Sequence, residues 1–172
     1  MKCCLVVGHR WDDKGAENRT LGLTEFDFNY QLAAKIYDAA KDKKDLKVVI
    51  VYRDGSYSKL PAKIELFKPN FVVSMHCNAF NGSTTGCETL YYKDNDIAKQ
   101  MAQIMQSEIC ETLPQKDRGI KPKRSEDRGG LLLKESPAPA IIVEPFFIDN
   151  TKEKFFQIDD DLDSEDEKDS KK

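Results

Sequence analysis

The 172-residue sequence has very little histidine, with only His9 and His76. It also has no surplus of positive charge. Its 27 Lys+Arg stand against 30 Asp+Glu for a net charge of -3, which argues against a nucleic-acid binder, since such proteins carry a strong basic excess. No apolar run approaches the ~18–20 residues of a membrane span, so no integral membrane segment is expected. The opening Met1-Lys2-Cys3-Cys4-Leu5-Val6-Val7-Gly8 is too short for the apolar region and cleavage site of a signal peptide. Nothing apolar precedes Cys3-Cys4 to make a lipid-attachment signal. The expectation is synthesis in the cytoplasm, with no signal peptide. The five cysteines (Cys3, Cys4, Cys77, Cys87, Cys110) are odd in number and include no Cys-x-x-Cys pair. That argues against a disulfide framework and a thiolate zinc site, and all five read as buried reduced thiols.

What is present divides into a body and a tail. Residues 159–172 hold eight acids against three lysines, a net -5, which leaves +2 on residues 1–158. The only apolar residue in that segment is Leu162, so it is expected to form an acidic, disordered tail. The body alternates two kinds of signal. Apolar runs at 2–7, 46–52, 71–75 and 141–143 and a strand-like 87–92 read as strands, mostly buried on both faces. Residues 25–41 read as a helix capped by Thr24, with Phe26, Tyr30, Ala33, Tyr37 and Ala40 forming an apolar stripe that Leu32 and Ile36 widen. A second helix near 95–113 stacks Ile97, Met101, Ile104, Met105 and Ile109 on one face, and a short one is expected at 62–68 after Pro61. The fold class expected is a single α/β domain over residues 1–158: a mixed, mostly parallel sheet of about five or six strands flanked by helices.

In such sheets ligands bind outside the carboxyl ends of the strands. His9 follows the first run as VVGH, His76 the third as VVSMH, and Glu144 ends the last as IIVE. Glu25 opens the helix after the first strand and its loop. All four side chains can therefore reach one edge of one sheet. Two imidazoles and a carboxylate with one open position make a catalytic zinc site, and a second carboxylate held off the metal can act as general base. The structural alternatives are a hydrogen-bonded histidine at a strand end and an acid suiting a helix dipole.

The ordered motifs add to this. Val7-Gly8-His9 with Asp13-Lys14-Gly15-Ala16, Gly22-Leu23-Thr24-Glu25 with Asn29, and Val51-Tyr52-Arg53-Asp54 come first. Ser74-Met75-His76-Cys77-Asn78-Ala79, Gly86-Cys87-Glu88-Thr89-Leu90-Tyr91-Tyr92 and Arg118-Gly119-Ile120-Lys121 follow, and Pro139-Ala140-Ile141-Ile142-Val143-Glu144-Pro145-Phe146-Phe147-Ile148-Asp149-Asn150 closes the set. Over roughly residues 3–155 the chain resembles the zinc-dependent N-acetylmuramoyl-L-alanine amidases of bacterial cell-wall remodelling and phage endolysins. The resemblance implies one Zn2+ per chain on His9, Glu25 and His76, with Glu144 as the catalytic glutamate. It implies hydrolysis of the amide between N-acetylmuramic acid and L-Ala of the stem peptide in peptidoglycan; a monomer is expected, and the lack of a secretion signal suggests phage- or prophage-mediated lysis. A zinc peptidase or carboxypeptidase and a catalytically silent wall-binding relative are the alternatives. The family often has glycines after the first histidine; here Arg10-Trp11 stand there and could line the substrate groove or pack the loop. Asn78 could hold His76 or a substrate amide, or serve a turn. Glu88 reads as structural, Arg53 as a loop ion-pair partner, and Glu17 as a weaker competitor of Glu25.

Overall fold

The computed structural model describes residues 1–113 and 115–153; the acidic segment 159–172 and the boundary at 158 lie outside them. In chain order the elements are β1 (Lys2–Val7), β2 (Glu17–Asn18), β3 (Leu23–Thr24), α1 (Glu25–Ala40), β4 (Lys47–Tyr52), α2 (Leu60–Glu65), β5 (Phe71–Met75), β6 (Cys87–Tyr92), α3 (Asp96–Thr112), β7 (Asp117–Lys123), α4 (Gly130–Glu135) and β8 (Ala140–Glu144). Six strands form one sheet in the order β4-β1-β5-β8-β6-β7. Neighbours from β4 to β8 are parallel, β6 runs antiparallel to β8, and β7 is parallel to β6. This is the mixed, mostly parallel sheet that the apolar runs predict.

Strand periodicity builds the layers. Along β1, Cys3, Leu5 and Val7 face a core shared with Phe26, Ala33 and Ala40 of α1 and Ala98 and Ala102 of α3. Cys4 and Val6 face the opposite core, with Leu60 and Ile64 of α2 and Leu132 and Leu133 of α4. Phe26 is 1 % exposed, so its truncation to alanine costs about 3–5 kcal/mol. No helix among the described residues is long and apolar enough to cross a membrane.

The helix faces differ from the periodicity reading. Tyr30 and Tyr37 of α1 and Ile97 and Ile104 of α3 are exposed. Besides Glu25 and Phe26, the buried residues of the helices are Asn29, Ala33 and Ala40 in α1 and Ala98, Ala102 and Gln106 in α3, with Leu32, Ile36, Met101, Met105 and Ile109 packed half-buried against the core. Small side chains let each helix lie close to the sheet, and the larger apolar residues are pushed to the rim of the contact. Two elements of the sheet and its covering layer escape the sequence reading, β7 for want of an apolar signature and α4 because its Leu131-Leu132-Leu133 run is too short to show a helical period. β7, Asp-Arg-Gly-Ile-Lys-Pro-Lys, is an edge strand with no fully buried residue, and α4 is six residues long.

Candidate metal centre and active site

β1, β5 and β8 are parallel neighbours, so their carboxyl ends share one edge. Gly8 N–H donates to Met75 O (3.0 Å), His76 N–H to Val143 O (3.0 Å) and Asn78 N–H to Phe146 O (2.9 Å). These bonds continue the pairing past the strand ends and fix where His9 and His76 leave the sheet. His9 takes a left-handed backbone with φ 65, uncommon for a side chain larger than glycine and a recurrent feature of functional loops.

Glu25 reaches the same edge from the first turn of α1. Thr24 caps the helix by accepting from Asp27 N–H at 3.2 Å. The helix's unpaired N–H groups are partly satisfied by the preceding loop, Glu25 N–H donating to Ala16 O (2.8 Å) and Phe26 N–H to Lys14 O (3.0 Å). Glu25 is 1 % exposed. Its Oε1 accepts from Cys77 N–H at 3.0 Å and meets His76 Nδ1 at 2.9 Å. Its Oε2 accepts from Ala16 N–H at 3.2 Å and lies 3.1 Å from His9 Nε2. Burial opposes ionisation of this carboxyl, but the imidazoles of His76 and His9 overcome that and hold it well below the usual carboxylate range. Potential ligand atoms of His9, Glu25 and His76 all lie within 4.8 Å of one another.

The donor set fits a metal. Both ring nitrogens of His9 are buried, and neither makes a hydrogen bond of acceptable geometry despite the approaches to Glu25 and, at 3.8 Å, to Asp13. Unsatisfied imidazole nitrogens beside an ionised carboxylate are what two-histidine, one-carboxylate ligation requires. Gly15 leaves room for this approach: a Cβ there would lie 2.6 Å from His9 Cδ2 and 2.7 Å from Glu25 Oε2.

Glu144 ends β8 beside this triad and opens onto a cavity of about 350 Å³ that it lines with His9, His76, Arg53, Tyr57 and Arg128. Its carboxylate has no hydrogen-bond or ion-pair partner among the described residues. Burial, then the nearby charges of Glu88 and Glu25, push it up to about 7, while Lys123 and Arg128 pull weakly the other way. A group of that kind is poised to exchange a proton near neutral pH.

Glu88 is the residue whose place the sequence did not reveal. It sits directly opposite Glu144 in the β6–β8 ladder. Its Oε1 accepts from Asn78 Nδ2 (3.0 Å) and its Oε2 from Arg118 Nε (2.8 Å), and Arg118 also lies 5.0 Å over the Phe147 ring. Asn78 therefore holds Glu88 rather than His76, through one of its two Nδ2 hydrogens, and its Oδ1 accepts from Ala79 N–H in a local turn. Gly86-Cys87-Glu88 and Arg118-Gly119 were both visible as motifs; their meeting across β6 and β7 was not. Arg10 does not line the cavity, and its guanidinium turns to Asp12 at 2.8 Å. Trp11 packs on Phe26 and Tyr30 with centroids 4.9 Å and 5.5 Å away, a loop-packing role. Arg53 pairs with Asp13 at 2.8 Å and also lines the cavity. Glu17 is in β2, exposed and paired with Arg19 at 2.6 Å, and is not among the clustered ligand atoms. Four cysteines are buried; Cys110 is half-buried, with its Sγ 3.2 Å from that of Cys87.

A mixed α/β sheet carrying a His-Glu-His cluster and an unpartnered glutamate at one edge defines a hydrolase-like domain with a candidate metal centre. Residues 3–164 match the family model for N-acetylmuramoyl-L-alanine amidase, and the chain belongs to that family. Among solved structures, the N-acetylmuramoyl-L-alanine amidase of Clostridium difficile 630 superposes with a TM-score of 0.78 at 31% identity, covering 87% of this chain and 81% of that one. The catalytic domain of CwlV, an N-acetylmuramoyl-L-alanine amidase from Bacillus (Paenibacillus) polymyxa var. colistinus, gives 0.79 at 26% identity over 93% and 88%. The uncharacterized protein YqiI of Bacillus subtilis (strain 168) is 27% identical over 152 residues, 86% of this chain and 70% of its own length. The chain is thus an enzyme of the peptidoglycan amidase class.

Proposed function

We propose that this chain hydrolyses the amide between the lactyl group of N-acetylmuramic acid and the L-Ala nitrogen of the stem peptide, as a monomer using one zinc ion on His9, Glu25 and His76. The observation that carries the reading is the shared sheet edge: an ionised Glu25 between two imidazoles, with an unpartnered Glu144 in the same cavity. Zinc held there supplies a Lewis acid for the scissile carbonyl and for water.

The chain's own groups do the rest. Glu25 stays ionised through the cycle, because two backbone amides and two imidazoles favour its charge. Glu144 takes the proton from the attacking water and returns it to the L-Ala nitrogen, which must be protonated to leave. One carboxyl can serve both steps because its pKa lies near the working pH. Leu90, Leu131 and Ile142 form an apolar wall of the cavity, which lowers the local dielectric around Glu144.

Phage- or prophage-mediated lysis is the setting in this reading, with synthesis in the cytoplasm and action on the wall after release. An odd set of free thiols suits a reducing compartment of synthesis. Fractionation before and after lysis tests that part. For the chemistry, mass spectrometry of peptidoglycan digested by the zinc-loaded protein should find new L-Ala amino termini and intact glycan strands. Cuts within the stem peptide instead would make it a peptidase, and no cut at all would make it a silent wall-binding relative.

A further inference from the structure

Of the three arginines on or near the catalytic cavity, only one is unspent; Lys123, whose charge also reaches Glu144, does not line the cavity. Arg53 is committed to Asp13 at 2.8 Å, with its side chain 16% exposed. Arg118 is committed to Glu88. Arg128 is exposed and lines the cavity, yet it has no hydrogen bond or ion pair among the described residues. Its charge nevertheless reaches both Glu144 and Tyr57, favouring the ionised form of each, so the guanidinium sits over the same cavity.

The turn that carries Arg128 is held rigidly. Asp127 accepts from Arg124 N–H through Oδ2 at 2.7 Å, and Gly130 N–H donates to Asp127 O at 2.8 Å. Asp127 is thus engaged by the turn and does not pair with its neighbour. Gly129 has φ 83, and a Cβ there would lie 2.6 Å from Ile142 Cδ1; a Cβ at Gly130 would lie 1.8 Å from Arg124 O. The turn therefore sits directly on β8, at a residue two positions before Glu144. An unpaired guanidinium on a fixed turn beside the reacting carboxyl is a receptor for an anion.

We propose that Arg128 selects stem peptides bearing a free carboxylate close to the scissile amide. This rests on the amidase reading. In a peptidoglycan stem the L-Ala carboxyl is consumed in a peptide bond. The second residue, D-Glu, is linked through its γ-carboxyl and so presents its α-carboxylate as the first anion along the chain. A cavity of about 350 Å³ reaches only a few bonds from the cut, which makes that carboxylate the group within range. Amidation of the same position removes the charge and leaves Arg128 facing a neutral group.

The test uses the full-length, zinc-loaded protein and two muropeptides that differ only in that position, as free acid or amide. The wild type should favour the acid by about ten- to a hundredfold in kcat/KM, the scale of one charge-assisted contact. Arg128→Gln should erase the preference by raising KM for the acid form alone, any change in kcat through the neighbouring Glu144 being shared by both forms. Arg128→Lys should keep part of it, since a lysine retains charge but not the two-pronged geometry. Zinc content and circular dichroism check that each variant is folded. An unchanged preference in Arg128→Gln, or equal losses on both substrates, would overturn the proposal. Relief of inhibition by free N-acetylmuramic acid with no change in preference would assign Arg128 to the product's carboxylate and overturn it too. A wild type that cuts both forms equally sinks this proposal alone. One that cuts neither at the muramoyl–alanine bond sinks the amidase reading as well.

Discussion

Gly15→Ala should damage the metal centre without touching any ligand. The added Cβ would sit 2.6 Å from His9 Cδ2, 2.7 Å from His9 Cγ and 2.7 Å from Glu25 Oε2. Ordinary contacts between such atoms are ~3.5–4.0 Å, so the imidazole and carboxylate must separate by roughly 1 Å. Glu25 has little freedom to yield, because two backbone N–H groups hold its oxygens. His9 must move, and its distance of 3.1 Å to Glu25 opens. Disturbing the groups that orient a metal's ligands typically costs about 10–100-fold in affinity. Gly15 also has φ 75, so alanine pays roughly 1–2 kcal/mol of left-handed backbone cost in addition. Gly22→Ala separates the two effects, since Gly22 has φ 63 and no atom within 4 Å of the added Cβ. Zinc affinity measured by chelator competition should fall at least about tenfold in Gly15→Ala. In Gly22→Ala it should not change, although the metal-free melting temperature falls. Wild-type affinity in Gly15→Ala, or equal loss in both variants, would refute the steric argument.

Glu144→Gln should lower turnover by about 10²–10⁴-fold with zinc content intact; lost metal would make Glu144 a ligand, and near-normal turnover would move the base elsewhere. The same variant should change stability with pH in the metal-free protein. The folded carboxyl titrates near 7, above its ordinary value of 4.5, so its contribution is full below the lower value and lost as pH rises through the upper. Thermal melts should therefore show Glu144→Gln gaining on the wild type at pH 8 relative to pH 4, and a constant difference would mean the carboxyl is not buried as described. Finally, an oxidised low-molecular-weight disulfide should react first at half-buried Cys110, whose mixed disulfide Cys87 then displaces to form an internal bridge. Thiol counts after denaturation should fall from five to three in the wild type and stay at four in Cys110→Ser; four remaining in the wild type would mean the two sulfurs cannot meet, and five that Cys110 does not react.

The sheet was legible because buried parallel strands leave continuous apolar runs with sharp ends, and those ends carried His9, His76 and Glu144 to one edge. Glu25 was legible from Thr24, whose capping signal fixes where the helix begins and hence which acid faces the sheet. β7 was not, because an edge strand buries too little to require an apolar pattern, and α4 was not, because six residues are too few to show a helical period. The wall of the cavity was lost with them: Tyr57, Asp127, Arg128 and Leu131 come from turns and short helices whose positions depend on tertiary packing. The apolar stripes misled only at Tyr30, Tyr37, Ile97 and Ile104, which are exposed while Phe26, Ala33 and Ala40 are buried and Leu32, Ile36, Met101, Met105 and Ile109 pack against the core. Periodicity weights large residues such as Tyr37 and Ile104, whereas close packing of a helix on a sheet selects alanine.

Three glutamates meet at this edge, and their surroundings divide the labour. Glu25 is neutralised by two imidazoles and two amides, so its charge is stabilised and its proton affinity is low. Glu88 is held opposite Glu144 by hydrogen bonds from Arg118 and Asn78. Glu144 has burial and two like charges against it, only weak opposing pulls from Lys123 and Arg128, and no hydrogen-bond partner among the described residues. Bringing a third carboxylate into this arrangement costs free energy in the resting enzyme, and nothing in the packing requires it. The cost is relieved when Glu144 accepts a proton. The same repulsion that makes it an unfavourable anion makes it the one carboxyl of the three able to remove a proton from water and hold it until the amine departs.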